Sequence, residues 1–230
     1  PQRIQDTAND LVVSSFTLTA SRLALVTVVN STFSDATPNT PTLTGHGTWV
    51  PIASYEARTP ASASTQMRRI TMWGLLTGAG STATLTVSNL NNGRYVGVMV
   101  DEFDGVDISV DVANAIVQSK TAPSDQSVSS LAITLDSSVT AGNATYGCFW
   151  QHGNPAGDTT EGTDFTKLGE QSVNNGGNQL SEYWASPADA VVDVSFSITE
   201  DAGGIAVEIK AAGVVAGGAV AQAMHQYRQR

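Results

Sequence analysis

Apolar and polar residues alternate with a period of two along most of the chain, the spacing of strands that turn one face to a core and one to water. In TATLTVS, Ala83, Leu85 and Val87 point one way and Thr82, Thr84 and Thr86 the other. VVDVSFSIT repeats the pattern, with Val192, Val194, Phe196 and Ile198 inward and Asp193, Ser195 and Ser197 outward. GIAVEIK sets Ile205, Val207 and Ile209 against Glu208 and Lys210. The same reasoning predicts strands over 11–19, 22–30, 43–52, 67–76, 94–103, 110–118, 131–136, 144–151, 165–173 and 178–185.

Turn residues punctuate these strands. Asn92-Gly93 supplies the positive backbone angles of a tight hairpin between 82–90 and 94–103, and Asn175-Gly176-Gly177 does the same between 165–173 and 178–185. Segments 34–42, 57–65, 119–130 and 153–164, rich in Pro, Thr, Ser and Gly, read as rim loops, and none marks a domain boundary. Helical spacing occurs only in AVAQAMHQYRQR, where Val220, Met224 and Tyr227 share a face. A helix that short needs a surface to dock on. The pattern predicts an all-β chain, a jelly-roll β-sandwich of two antiparallel sheets over 11–212, with an N-terminal arm at 1–10 and a C-terminal arm or short helix at 213–230.

Composition narrows the role. A chain of 230 residues buries roughly 70% of its unfolded surface, enough for a core without metals or staples. The one cysteine, Cys148, cannot form an internal disulfide and reads as a small buried residue. The net charge of -10 disfavours a nucleic-acid partner, and no apolar run has the length of a membrane span. PQRIQDTAND carries no apolar signal region, so synthesis and assembly in the cytoplasm are expected. Residues 213–230 hold Arg228 and Arg230 and no acid, which makes this arm +2 against -12 for the remainder and suggests attraction to an acidic surface or a second copy.

The chemistry-bearing residues are sparse. VMVDEFDGVDIS places Asp101, Glu102, Asp104 and Asp107 together. Successive strand residues face opposite ways, so Asp101 and Glu102 cannot flank one bond as a catalytic pair. Asp104, Gly105 and Asp107 read as a turn in which the glycine bends the chain and the aspartates bond nearby amides. The alternative is a calcium site formed by Asp101, Asp104 and Asp107, although their spacing is not that of an EF-hand. His46, His152 and His225 are isolated, and no nucleophile elbow or phosphate loop is present. Trp49, Tyr55, Trp73, Trp150, Tyr183 and Trp184 either pack inside or form a sugar-stacking platform. Asn30-Ser31-Thr32 and Asn143-Ala144-Thr145 match the glycosylation acceptor.

Taken in order over 11–212, LALVTVVNS, LTGHGTWVPI, MRRITMWGLL, TATLTVSN, VGVMVDEFDGVDIS and GGIAVEIKAA resemble a jelly-roll domain of tailed-phage virion structural proteins, of decoration, cement or fibre type, also found in some bacterial surface proteins. The resemblance implies a structural role without catalytic residues or cofactor, and makes Glu102–Asp107 a strand end and turn. The implied partners are the major capsid protein or other virion proteins, and further copies in a homo-oligomer such as a trimer. The implied location is a virion assembled in the host cytoplasm. Val220, Met224, Tyr227, Arg228 and Arg230 are then the expected partner-binding residues. The alternatives are a carbohydrate-binding module or receptor-binding adhesin using the aromatic residues, and a jelly-roll lyase or hydrolase using Glu102.

Overall fold

The computed structural model describes residues 2–4, 10–32, 37–58, 67–90, 95–152, 158–173, 177–184, 188–213 and 223–224. The first strands are β1 (Gln2–Ile4), β2 (Leu11–Leu18), β3 (Arg22–Ser31), β4 (Thr42–Thr44), β5 (Val50–Arg58), β6 (Met67–Thr77), β7 (Ser81–Ser88) and β8 (Tyr95–Phe103). A single helical turn, α1 (Val112–Ala115), precedes β9 (Ile116–Thr134) and β10 (Ala144–Gln151). Then come β11 (Thr159–Glu161), β12 (Thr166–Val173), β13 (Gly177–Trp184), β14 (Val191–Ile209) and β15 (Ala223–Met224).

These strands make three antiparallel sheets rather than the two expected. The first has the order β1-β8-β3-β6-β5, with β15 added to β8; the second β11-β14-β10-β13-β12, with β9 on β14; the third β2-β7-β4. The first sheet lies in the middle and is covered on both faces. Leu23, Leu25, Ile70, Met72, Met99 and Phe103 meet Tyr146, Cys148, Ile205 and Val207 of the second sheet. Ala24, Val26, Val28, Trp73, Val96 and Val98 on its other face meet Leu11, Leu18, Leu85 and Val87 of the third. Double burial explains why LALVTVV is apolar at every position but Thr27 whereas TATLTVS alternates. In the latter, Leu85 and Val87 are buried and Thr82 and Thr84 exposed.

The second sheet curls onto its own back. β9 pairs along nearly all of β14, but the register shifts between Ser195 and Glu200 and again between Asp201 and Gly203. Such irregularities bend a strand. Val192, Val194 and Phe196 from the first half of β14 therefore share a third core with Phe149, Leu180 and Ala206. The approach is close: a Cβ built on Gly147 would lie 2.6 Å from Val192 Cγ1.

Several expectations are corrected here. The strand expected over 110–118 is interrupted by α1, because the Asp111 side chain caps it by accepting from Asn114 N at 2.8 Å. The strand expected over 43–52 is two, β4 and β5, separated by Gly45, His46 and Gly47, all at positive φ. Segment 119–130 lies within β9 instead of forming a loop, and 153–164 contains β11. β7 and β8 are not a hairpin: β7 pairs with β2 and β4, β8 with β1, β3 and β15, so the chain crosses between layers after β7. β12 and β13 do pair, from Thr166 opposite Tyr183 to Val173 opposite Gly177. The pieces expected at 191–199 and 204–210 are one strand, β14. Within the C-terminal arm, Ala223 and Met224 form a strand and not a helix; residues 214–222 and 225–230 lie outside the described residues.

Candidate functional site

The acidic stretch ends β8 and turns. Asp101 faces the second sheet, where Tyr146 Oη donates to its Oδ2 at 2.8 Å. Glu102 faces the other way and accepts from Thr19 N at 2.7 Å, and burial raises its carboxyl above the usual range. The two carboxylates do not share a face, as the strand period requires. Beyond the strand, Gly105 takes φ 66 and Asp104 Oδ1 accepts from its amide at 2.7 Å. Asp107 accepts from Ser109 N at 3.1 Å and pairs with Lys210 Nζ at 2.8 Å, contacts that lower its carboxyl to about 2. The turn is stapled to the end of β14: Asp107 N donates to Lys210 O at 2.9 Å and Ala212 N to Gly105 O at 2.8 Å.

Asp101, Asp104 and Asp107 thus have separate partners: a buried tyrosine, Arg22 at 3.6 Å and Lys210. Among the described residues, no three His, Cys, Asp or Glu side chains are arranged to hold a metal ion.

Between the first two sheets lies a buried polar group built from Thr27, Asp101, Tyr146, Cys148 and Gln179. Gln179 Nε2 donates to Thr27 O at 3.3 Å and lies 3.5 Å from Cys148 Sγ. Gly97 makes room for it, since a Cβ there would come within 2.5 Å of Gln179 Oε1. Burial, before any neighbouring charge, pushes the Cys148 thiol up to about 12, and it pushes the Tyr146 hydroxyl well above its ordinary value. Both stay protonated at neutral pH, so neither is an activated nucleophile. The group's chemistry is that of a polar rivet between two sheets.

Two further acids, missed by sequence reasoning, lie on the other face of the second sheet. Glu182 on β13 is fully buried and accepts from Gly162 N at 3.1 Å, while its Oε1 has no hydrogen-bond partner. Desolvation first, opposed by the Gly162 bond and then reinforced by Asp193 and Glu161, raises it to about 8. A carboxyl left with one bare oxygen under cover holds its proton. Glu208 on β14 is buried and accepts from Gln118 Nε2 at 2.6 Å, Thr140 N at 2.8 Å and Asn143 Nδ2 at 2.6 Å.

Among the described residues, the aromatic side chains expected to carry a platform do not form one. Trp49, Trp73, Trp150 and Tyr183 are buried and Tyr55 is half-buried; the side chain of Trp184 lies outside the described residues. Trp49 Nε1 donates to Gly45 O at 2.9 Å, and the buried Arg68 guanidinium sits 5.2 Å over the Trp150 ring. His46 stacks on Phe16 with ring centroids 4.3 Å apart and bonds Ser81 Oγ at 2.9 Å; His152 lies 3.7 Å from Glu200. His225 lies outside the described residues. Both glycosylation acceptors are buried: Asn30 Nδ2 donates to Asn39 O, and Asn143 bonds Glu208 and the Ala211 amide at once. In the folded chain neither amide is available for modification.

Of the expected arm residues, Met224 pairs with Glu102 of β8. Val220, Tyr227, Arg228 and Arg230 lie outside the described residues. The third sheet presents its outer face to solvent. Val12, Thr17, Thr42, Thr44, Thr82 and Thr84 are exposed there, and Thr17 and Thr82 bond each other at 2.7 Å. The outward positions of all three strands carry only hydroxyls and Val12, and no charge. Among the described residues, no helix is long and apolar enough to cross a membrane. Against protein-family models, curated proteins and solved structures, the chain gives no match.

Proposed function

We propose that this chain is a structural protein of a tailed-phage virion, a capsid decoration or cement protein or a head or tail fibre component, built on a jelly-roll type of sandwich. It acts through protein–protein contacts with the major capsid protein or other virion proteins and with further copies of itself. The sequence resemblance motivates this reading, and the observation that carries it is the uncharged outer face of the third sheet. On a chain of net charge -10, a face of hydroxyl side chains and Val12 packs against a neighbour without desolvating charge. Symmetry multiplies each such contact, so a modest affinity per copy suffices.

Particles reconstituted with and without the chain, viewed by electron microscopy, test the proposal. Bound copies in symmetric positions are expected, and Thr84→Lys is expected to reduce occupancy while leaving the melting temperature within a few degrees. A chain that binds no particle and forms no symmetric oligomer overturns the reading.

A further inference from the structure

β2 is an outermost strand of the third sheet, paired with β7 along one edge and, among the described residues, with no strand along the other. Strand edges are ordinarily kept short or guarded by charge or proline. The other outermost strands follow that rule. β1, β4, β11 and β15 span three residues or fewer. β5 carries Pro51 and Glu56, β9 Lys120 and Pro123, and β12 Lys167 and Glu170. β2 spans eight residues, LVVSSFTL, with neither charge nor proline. Val12 on its outer face is 50% exposed, and Val13 and Phe16 are half-buried at the margin of the core that Leu11 and Leu18 help to fill.

The strand is also close to a palindrome. Read inward from its two ends, Leu11 matches Leu18, Val12 matches Thr17, Val13 matches Phe16 and Ser14 matches Ser15. In a regular strand, positions 11 and 18 would face opposite ways. A bulge removes that mismatch: Val13 lies opposite Leu85 and Phe16 opposite Ala83, so Ser14 and Ser15 together face Thr84. Leu11, Val13, Phe16 and Leu18 therefore all turn toward the core, and Val12 and Thr17 turn outward. The backbone follows the same symmetry. Val12 lies opposite Thr86 and Thr17 opposite Thr82, positions of one class in a ladder whose pairs alternate in hydrogen bonding. The groups that the two halves of β2 turn away from β7 are thus in phase about the Ser14–Ser15 centre.

We propose that two copies of this chain pair antiparallel through their β2 edges about a twofold axis at Ser14 and Ser15, joining their third sheets into one. Leu11 of one copy then lies opposite Leu18 of the other, Val12 opposite Thr17, and Val13 opposite Phe16. Two short ladders flank the bulged centre, core side chains meet core side chains, and no charge on the strand is desolvated. A register shifted by one residue would set inward side chains against outward ones. Two copies of net charge -10 repel at long range, so association strengthens with added salt. The pairing does not rest on the virion reading and goes beyond it by naming the edge, the partner copy and the register.

Sedimentation equilibrium and disulfide trapping of the full chain test it, because residues directly opposite on antiparallel strands bring their Cβ atoms within bonding reach. A Val12→Cys chain mixed with a differently tagged Thr17→Cys chain is expected to give a mixed disulfide-linked dimer several-fold faster than either variant alone. Both positions are exposed, so folding is preserved, and Cys148 is buried away from the edge. Val12→Lys with Thr17→Lys sets like charges opposite each other and is expected to raise the dimer dissociation constant roughly tenfold. Val12→Lys with Thr17→Glu sets unlike charges there and is expected to restore association. Equal trapping by the single variants on their own overturns the register. A parent chain that is monomeric at every concentration, with the mixed trap open, overturns the pairing; if that monomer still decorates particles, the virion reading survives the loss of this one.

Discussion

Glu182 makes stability depend on pH in a direction opposite to that of most carboxylates. Its carboxyl is raised from 4.5 to about 8 in the folded chain, chiefly by burial. Below about 4.5 both folded and unfolded chains hold the proton, and the group is neutral to stability. Between 4.5 and about 8 only the folded chain holds it, so the unfolded state gains with every step of pH and stability falls. At 1.36 kcal/mol per pH unit, this window of about 3.5 units amounts to about 5 kcal/mol, all of it lost by about pH 8. That is a large share of the roughly 5–15 kcal/mol that holds a domain folded. Glu182→Gln keeps the shape of the neutral acid and an oxygen for Gly162 N. Urea unfolding from pH 5 to pH 9 is expected to show a falling stability in the parent chain, a flatter profile in the variant, and curves that diverge as pH rises. Equal slopes for parent and variant over pH 5–8, or a carboxyl carbon that titrates near the ordinary value by NMR, refute the reasoning.

Two other perturbations probe the rivet between the first two sheets. Tyr146→Phe removes the 2.8 Å hydrogen bond to Asp101 without changing the ring. The carboxylate loses a buried donor, at an expected cost of about 1.5–3 kcal/mol, visible as a lowered urea midpoint with an unchanged slope. Cys148, buried and pushed up to about 12, is expected to resist alkylation in the folded chain at pH 8 and to react fully in urea. Rapid labelling without denaturant refutes the assigned burial.

The parts of the fold legible in the sequence are those in which one face meets water. TATLTVS alternates because β7 has the middle sheet beneath it and solvent above. The turn at 104–109 was also legible, because the bonds made by Asp104 and Asp107 are local and their chemistry does not depend on the rest of the chain. Layer assignment was not. Asn92-Gly93 suits a hairpin, yet Val87 and Val96 fill one core from two facing sheets, a long-range arrangement that local turn chemistry does not register. β9 was read as loop over 119–130 because SKTAPSDQSVSS is polar; it tolerates that composition, including Pro123 opposite Gly203, because among the described residues it pairs with β14 alone. α1 spans four residues, too short for a helical period to register.

The two hidden acids follow from the same limit. Glu182 shares a strand face with Leu180, and Glu208 shares one with Ala206, so period-two reasoning assigns each acid to the outer side of a two-sheet sandwich and leaves it in water. The outer side is not outside, because β14 bends and brings its own first half across the back of β10 and β13. The fold then satisfies the two acids differently. Glu208 meets three donors, two of them at the 140–143 turn, and ties that turn to β14. Glu182 meets one backbone amide and carries Asp193 and Glu161 beside it, so its remaining means of avoiding a buried charge is to keep the proton. The bend that closes the third core is thereby the origin of the pH dependence, and a change that straightens β14 at 195–203 should lower the Glu182 carboxyl toward its ordinary value even with every neighbouring side chain intact.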